Sequence, residues 1–201
     1  MKKVILTTLM LCSVYGFSQN FKFGAKGGLN IAAQSVSGGT SISNVIGANL
    51  GVFAEYKLSD KFALQPELLF SMQGVKSSSS VFTYNIDQTR SLNYLDLPIM
   101  AKYFATEKFS IQAGPQIGFL ISATDKLDST LPGFPSSSGD SKSNYNGVDF
   151  GLNFGLGYDF TEKISVSTRY NLGLSDVEKS IPSGSTGSKN RVISFGLEYK
   201  F

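Results

Sequence analysis

Apolar and polar residues alternate along most of the chain between residues 21 and 201. Near the C-terminus, for example, Ile193, Phe195 and Leu197 are separated by Ser194 and Gly196. A period of two over many residues is typical of β-strands with one apolar and one polar face, and no segment shows the period of a helix. The pattern predicts an all-β protein with eight strands, in residues 21–31, 45–58, 62–75, 91–104, 109–123, 147–160, 164–174 and 191–201.

The connections between these segments differ in length. Three are tight turns, at residues 59–61, 105–108 and 161–163. The others are long and rich in Ser, Gly, Asn and Asp, at residues 32–44, 76–90, 124–146 and 175–190. Short turns at one end, long loops at the other and an even strand count are typical of an outer-membrane barrel. We therefore predict an eight-stranded antiparallel up-and-down transmembrane β-barrel with both termini on the short-turn, periplasmic side.

A secreted soluble barrel of the lipocalin type also has eight strands, so the direction of the apolar face must be decided. An eight-stranded barrel has room inside for little more than its own small side chains, and this apolar face is crowded with Phe, Leu, Ile and Tyr. Aromatic residues also collect near the segment ends, as they do at membrane interfaces. We expect the apolar face to contact lipid, with interface aromatics at Phe62, Tyr103, Phe109, Tyr158, Phe160, Tyr199 and Phe201 on the turn side and Phe70, Tyr94 and Tyr170 nearer the loops.

The first 19 residues have the features of a secretory signal peptide. Lys2 and Lys3 precede an apolar stretch at residues 4–14, and small residues lie before a cleavage site at Ser18. The stretch is too short for a membrane-spanning helix. A lipoprotein signal at Cys12 is a weaker alternative, because the bulky Leu11 precedes it. We predict a signal peptide at residues 1–19 and a barrel domain at residues 20–201.

Composition removes most enzyme classes. The chain has no histidine and a single cysteine, Cys12, so Ser-His and Cys-His catalysis and His-ligated zinc are excluded. The formal charge of +3 includes Lys2 and Lys3 of the signal peptide, and nothing suggests a nucleic-acid partner. The loop acids Asp125, Asp128 and Asp140 are too dispersed for a calcium motif. We expect no metal and no cofactor.

Six motifs follow one another along the chain: residues 23–30 (FGAKGGLN), 65–70 (QPELLF), 94–103 (YLDLPIMAKY), 114–122 (GPQIGFLIS), 149–160 (DFGLNFGLGYDF) and 169–175 (RYNLGLS). With them the chain resembles the PorT-like family of outer-membrane β-barrel proteins, which is common in Bacteroidetes. The resemblance implies an eight-stranded barrel of the OmpA/OmpX type. It implies little about function, because a shared fold does not carry a shared activity.

The last strand has an apolar or aromatic side chain at every second position back from the carboxyl end. Such a strand resembles the signal with which a barrel substrate pairs with the outer-membrane assembly machinery, a form of strand addition. The simpler reading is a lipid-facing eighth strand, and the two are compatible. We predict an assembly signal at Phe195, Leu197, Tyr199 and Phe201.

Three prolines, Pro66, Pro98 and Pro115, lie within predicted strands. Proline cannot donate a hydrogen bond to its neighbour strand, and a closed barrel has no free edge. We therefore expect a bulge or a locally missing hydrogen bond at each proline, with a register slip most expected near Pro98.

On this reading several charged and amide side chains face the lumen. Charges in a narrow interior must pair or remain hydrated. Three interpretations stay open: a hydrogen-bonded plug that fixes the register, a small conducting pore, and a catalytic carboxylate pair such as Glu55 with Glu67. The predicted lumenal polar network is Lys26, Glu55, Glu67, Asp96, Asp149 and Arg169, with Asn49, Gln73 and Asn153 on the same face.

The long loops are the other candidate site. Apolar residues stand within polar sequence at 81–84 (VFTY) and 131–135 (LPGFP). Exposed apolar residues of this kind dock partners or cap the barrel mouth. We predict a monomeric, non-enzymatic scaffold in outer-membrane lipid, inserted by the barrel-assembly machinery, whose loops 76–90 and 124–146 bind an envelope or surface partner. A narrow passive channel is the alternative.

Overall fold

The computed structural model describes residues 21–35, 42–81, 84–133, 135–180 and 187–201. The predicted signal peptide lies outside these residues. The described chain forms nine strands and one short 3-10 turn at Lys142–Asn144: β1 Phe21–Ser35, β2 Ile42–Lys57, β3 Phe62–Val81, β4 Tyr84–Phe104, β5 Phe109–Ser129, β6 Ser137–Asp140, β7 Val148–Asp159, β8 Ile164–Gly173 and β9 Lys189–Lys200. No helix within these residues is long and apolar enough to cross a membrane.

Eight of the nine strands close into a ring. Each pairs antiparallel with its neighbours in the order β1, β2, β3, β4, β5, β7, β8, β9, and β9 returns to β1. The short β6 lies outside the ring and pairs with β5. The predicted fold class, an all-β antiparallel up-and-down barrel of eight strands, is confirmed. Closure satisfies the backbone hydrogen bonds that an open sheet would leave at its edges.

Side chains alternate between the outside and the lumen as the sequence pattern predicts. Ile46 and Phe150, on the outer face, are 76% and 53% exposed, whereas Lys26 and Glu55, on the inner face, are 3% and 1% exposed. This inverts the arrangement of a soluble globular protein, because the apolar face is exposed and the polar face fills the core. The expectation that Tyr94 belongs to the interface aromatics is wrong. Its side chain points to the opposite face from Leu95 and is buried in the lumen.

The three tight turns share one local device. Ser59, Thr106 and Thr161 each accept hydrogen bonds from the backbone N–H groups two and three residues later. A hydroxyl that bonds to nearby backbone stabilises a turn without requiring glycine. All three turns therefore lie where the sequence predicts, at one end of the barrel.

The other end differs from the prediction. Residues 76–81 and 84–90 were expected to be loop, but they are strand: β3 and β4 stay paired as far as Val81 and Tyr84. Residues 124–146 contain the end of β5, all of β6 and the 3-10 turn. Alternation disappears in these Ser-rich segments because both faces of the sheet meet water, while backbone pairing continues. We call residues 76–81, 84–90 and 124–129 together with β6 the protruding sheet.

The same extension shortens the other two long connections. β1 continues to Ser35, β2 begins at Ile42, and β9 begins at Lys189. These ends were predicted as loop, and the physical reason is the same. The connection before β9 is described up to residue 180 and again from residue 187.

The register is continuous across all three prolines. β3 keeps one register with its neighbours on both sides of Pro66, β4 does so on both sides of Pro98, and Pro115 pairs with Leu152. The expected slip near Pro98 is therefore wrong. The irregularities lie instead between Asn44 and Asn49 in β2 and between Asn93 and Tyr94 in β4.

A candidate site in the barrel lumen

The turn-side half of the lumen holds a cluster of paired charges contributed by six strands. We call it the charge cluster and define it as Lys26, Glu55, Glu67, Lys102, Arg169, Glu198 and Lys200. All seven side chains are buried. Alternation explains their presence, since each occupies an inward position of its strand.

Arg169 and Glu67 form the central pair. Arg169 donates two parallel hydrogen bonds to the two carboxylate oxygens, at 2.7 and 2.8 Å. Gln112 Oε1 accepts two further hydrogen bonds from the same guanidinium, at 2.9 and 3.2 Å. A bidentate Arg–carboxylate pair fixes geometry as well as charge. Because Glu67 lies in β3 and Arg169 in β8, the pair spans the lumen.

The lysines complete the neutralisation. Lys26 Nζ lies 3.0 Å from Glu198 and 3.8 Å from Glu67. Lys102 Nζ donates to Glu55 at 2.9 Å and to Gln65 Oε1 at 2.6 Å. Each buried charge thus has an opposite charge close by, which is the condition under which burial is tolerated.

Lys200 continues the network toward the turns. Its Nζ lies 3.4 Å from both Glu55 and Asp159. Glu55 is therefore shared between Lys102 and Lys200. A carboxylate held in this way by two ammonium groups stays ionised and therefore has no proton to give as a general acid. The arrangement gives no chemical support to Glu55 and Glu67 as an acid–base pair.

Asp96 and Asp149 stand apart from the charge cluster. Asp96 Oδ2 accepts from Gln73 at 3.4 Å, and Asp149 accepts from Ser175 Oγ at 2.6 Å and from Asn190 at 3.2 Å. Among the described residues neither acid has a cationic partner within 4 Å. Of the six predicted lumenal residues, the structure brings four together and places these two loopward, among amides and hydroxyls.

An apolar cluster closes the loop end of the lumen. We call it the mouth cluster; its buried members are Leu92, Tyr94, Leu120, Ala123, Tyr145 and Val177. Tyr145 and Val177 come from the connections after β6 and β8, which cross over the barrel and meet at a bridge between Tyr145 and Glu178. These connections therefore fold inward over the mouth.

Charged residues at the rim hold Tyr145 in place. Its hydroxyl lies 2.8 Å from both oxygens of Asp125, and the Arg90 guanidinium lies over its ring at 4.9 Å. Arg90 also pairs with Glu178 at 2.8 Å. Burial, with the hydrogen bond to Asp125, raises the pKa of Tyr145 to about 12, so the hydroxyl remains a donor at neutral pH.

Sequence reasoning did not single out several residues of these clusters. Alternation places Lys102, Glu198 and Lys200 on the polar face, and the same signal that selected Lys26 applied to them. Nothing in the local sequence marks Arg90 or Tyr145, because their contacts depend on how distant connections fold over the mouth.

The predicted assembly signal lies on the outer face of the barrel. Phe195, Leu197 and Tyr199 of β9 are exposed, and the terminal Phe201 is 74% exposed. Its backbone N–H donates to the carbonyl of Phe23. The structure shows that these side chains face outward, and recognition by the assembly machinery stays a prediction.

Metal ligands are not concentrated in the described part of the chain, which contains no group of three or more His, Cys, Asp and Glu side chains suited to a metal.

Comparison with known proteins gives the class of barrel. The family model described as "Outer membrane protein beta-barrel domain" matches residues 17–179. No protein among those with curated descriptions matches the sequence. Among solved structures the chain is similar to Ail, the attachment invasion locus protein of Yersinia pestis. The two are 12% identical, the match covers 91% of this chain and 100% of Ail, and the TM-score is 0.52.

Two further structures are similar at lower scores. Neisserial surface protein A is 16% identical, with 89% of this chain and 97% of that chain covered and a TM-score of 0.46. The Escherichia coli outer membrane protease OmpT is 10% identical, with 91% and 97% covered and a TM-score of 0.41. At such identities the likeness to Ail shows the fold and no activity.

Proposed function

The chain belongs to the outer membrane protein beta-barrel domain family, and on that premise we propose that it is a closed, non-enzymatic scaffold of the outer membrane. Its barrel anchors the protruding sheet, which binds an envelope or surface partner. The observation that carries this proposal is the unequal length of the strands around the ring.

A tilted strand of about 9–11 residues crosses a bilayer. β8 has 10 residues and β7 has 12, which suits the membrane alone, whereas β3, β4 and β5 have 20, 21 and 21. At about 3.3 Å per residue, roughly ten additional residues add about 33 Å of strand, which at a tilt of about 40° extends about 25 Å beyond the apolar band. A sheet that stands this far above the membrane on one side of the barrel offers a surface for binding.

The chemistry of the protruding sheet suits a polar macromolecular partner. Lys76 pairs with Asp87 at 2.8 Å, and Lys126 pairs with Asp128 at 2.8 Å, so charges of both signs lie on the sheet. β6, its last strand, is fully exposed. Of the apolar loop residues considered in the sequence, Phe82 and Phe134 lie outside the described residues. The docking surface that we propose is the protruding sheet.

The proposal also covers the orientation of the barrel in the membrane, its assembly and its narrower family. The three short turns and the carboxyl end lie at one end of the barrel, which we place in the periplasm, as in other bacterial barrels. Phe195, Leu197, Tyr199 and Phe201 would then be read by the barrel-assembly machinery, and the mature barrel would stay monomeric in lipid. The six motifs described above support the narrower PorT-like assignment.

Partner binding is tested by site-specific photo-crosslinking in intact cells. A crosslinker at Ser78, on the protruding sheet, is expected to capture one defined protein or glycan species. A crosslinker at Phe150, on the lipid-facing wall, serves as the control. With the crosslinker moved to Ser138 of β6, an exposed position that the deletion retains, replacement of residues 76–90 by a short turn should abolish the product while the barrel keeps its heat-modifiable gel mobility. Equal products from both positions would contradict the proposal.

A narrow passive channel is the alternative, and the charge cluster argues against it. Arg169 and Glu67 join across the lumen and side chains from six strands meet there. Single-channel recordings of the refolded protein should therefore show no steady open level. An open level in the wild type that changes on Arg169→Gln or Glu67→Gln would establish the channel and overturn the closed scaffold.

A further inference from the structure

A small cavity lies in the lumen on the loop side of the charge cluster. Its volume is about 30 Å³, enough for one water-sized ligand. Most of the residues that line it have amide, hydroxyl or carboxylate side chains, among them Asn49, Gln73, Asp96 and Asn171. This site is independent of the protruding sheet and therefore does not rest on the proposed function.

The hydrogen bonds around the cavity fix the direction of the Asn49 amide. Asn30 Nδ2 donates to the carbonyl of Met72 at 3.1 Å and to Ser71 Oγ at 3.0 Å, which leaves Asn30 Oδ1 as an acceptor. Asn49 Nδ2 donates to that oxygen at 2.7 Å. Asn49 Oδ1 has no hydrogen-bond donor among the described residues, although the side chain is only 6% exposed.

Gln73 and Asn171 repeat this situation. Gln73 Nε2 faces Asp96 Oδ2 at 3.4 Å, and because a carboxylate only accepts, the amide oxygen points elsewhere. Asn171 Nδ2 donates to Asn153 Oδ1 at 3.1 Å. Within the described chain Gln73 Oε1 and Asn171 Oδ1 also have no donor, and the two residues are 5% and 7% exposed. Three buried carbonyl oxygens of residues that line the cavity thus lack a hydrogen-bond donor within the described chain.

Oxygen atoms from amides and a carboxylate are the ligands of hard cations. Asp96 adds a negative charge that no cationic side chain of the described residues neutralises within 4 Å. Lys26 and Arg169 also line the cavity, and they form ion pairs with Glu198 and Glu67. These two positive side chains repel any cation in the cavity. Because the repulsion grows with the charge of the ion, it disfavours a dication more than a monovalent cation.

We propose that the lumen binds one monovalent alkali cation, Na⁺ or K⁺, between the carbonyl oxygens of Asn49, Gln73 and Asn171 and the carboxylate of Asp96. The cation satisfies the three oxygens and balances Asp96. It also ties β2, β3, β4 and β8 together at the level where the charge cluster ends.

Thermal unfolding of the refolded protein in detergent tests the site. The protein is refolded and melted in NaCl, KCl or choline chloride at equal ionic strength, since a ligand that binds only the folded state raises Tm. We expect a saturable rise in Tm with Na⁺ or K⁺ and none with choline. Identical melting in the three salts would overturn the site.

Substitutions locate the effect. Gln73→Met and Asp96→Asn should abolish the difference between alkali and choline salts, whereas Asp87→Asn, the same charge change on the protruding sheet, should preserve it. Heat-modifiable gel mobility verifies that each variant folds. If a cavity variant does not fold, crystals of the wild type grown with Tl⁺, a K⁺ mimic, decide: an anomalous peak among the four oxygens supports the site, and an ordered water alone refutes it.

Discussion

Glu67 neutralises two cationic side chains in the lumen. It binds Arg169 through two hydrogen bonds and lies 3.8 Å from Lys26. Removing one member of a buried ion pair leaves the other charge without compensation, and this costs more than the intact pair contributes. The stability of the lumen therefore depends on each charged residue keeping its partner.

Glu67→Gln should destabilise the barrel by about 3–5 kcal/mol, the usual cost of an unpaired buried charge. The free energy of unfolding is measured by urea titration in lipid vesicles. The double variant Glu67→Gln with Arg169→Met should lose less, because no unpaired guanidinium remains. Asp87→Asn, which removes an exposed acid, serves as the control. An equal loss in single and double variants would contradict the assigned pairing.

At the scale of elements, local sequence suffices to predict the tight turns but not the ends of the long strands. The turns at Ser59, Thr106 and Thr161 are set by a hydroxyl and a short stretch of backbone, so sequence alone predicts them. The segments at 76–90 and 124–129 form strands through pairing with each other. Their Ser-rich composition carries no alternation, because both faces meet water, and the pairing cannot be read from either segment alone.

Thr161→Ala should cost about 0.5–1.5 kcal/mol, since the turn loses hydrogen bonds from two backbone N–H groups to one hydroxyl. Thr161→Ser keeps the acceptor and should remain close to the wild type in the same urea titration. A loss of equal size in both variants would show that the methyl group, and not the hydroxyl, stabilises the turn.

Hydrogen exchange distinguishes a paired sheet from loops in residues 76–90. Amides of the protruding sheet that bond across the β3–β4 pair should exchange more slowly than those of the turn at Asp60 and Lys61. Mass spectrometry of peptides from the folded protein in detergent measures this. Exchange as fast as that of the turn would mean that the hairpin does not persist in solution.

At the scale of the whole molecule, lipid acts as the solvent for one face of each strand in the ring. The exposed outer face consists mainly of Phe, Leu, Ile, Val and Tyr, and the lumen holds the charges. Aromatic pairs occur at the turn end, where Phe62 contacts Tyr103 and Tyr158 contacts Phe160. Such a molecule is stable only when lipid or detergent covers its wall.

Depth in the bilayer should therefore control the cost of a charge on the wall. Phe154 lies near the middle of β7 and Phe160 at its turn end, and both point outward. Phe154→Arg should cost about 2–4 kcal/mol and Phe160→Arg about 0–1 kcal/mol. Urea titrations in vesicles compare the two. Equal costs would contradict the placement of the membrane around this strand.

The sequence by itself determined the strands of the barrel, the tight turns and the face that meets lipid, because alternation with a period of two is a local property of each segment. Only the tertiary structure decided which inward residues meet. Arg169 reaches Glu67 across 102 positions of the chain, while Asp96 and Asp149 remain without a cation in the described lumen. Such partners depend on how the ring closes and in which register, and both are set by pairing between strands that no single segment encodes.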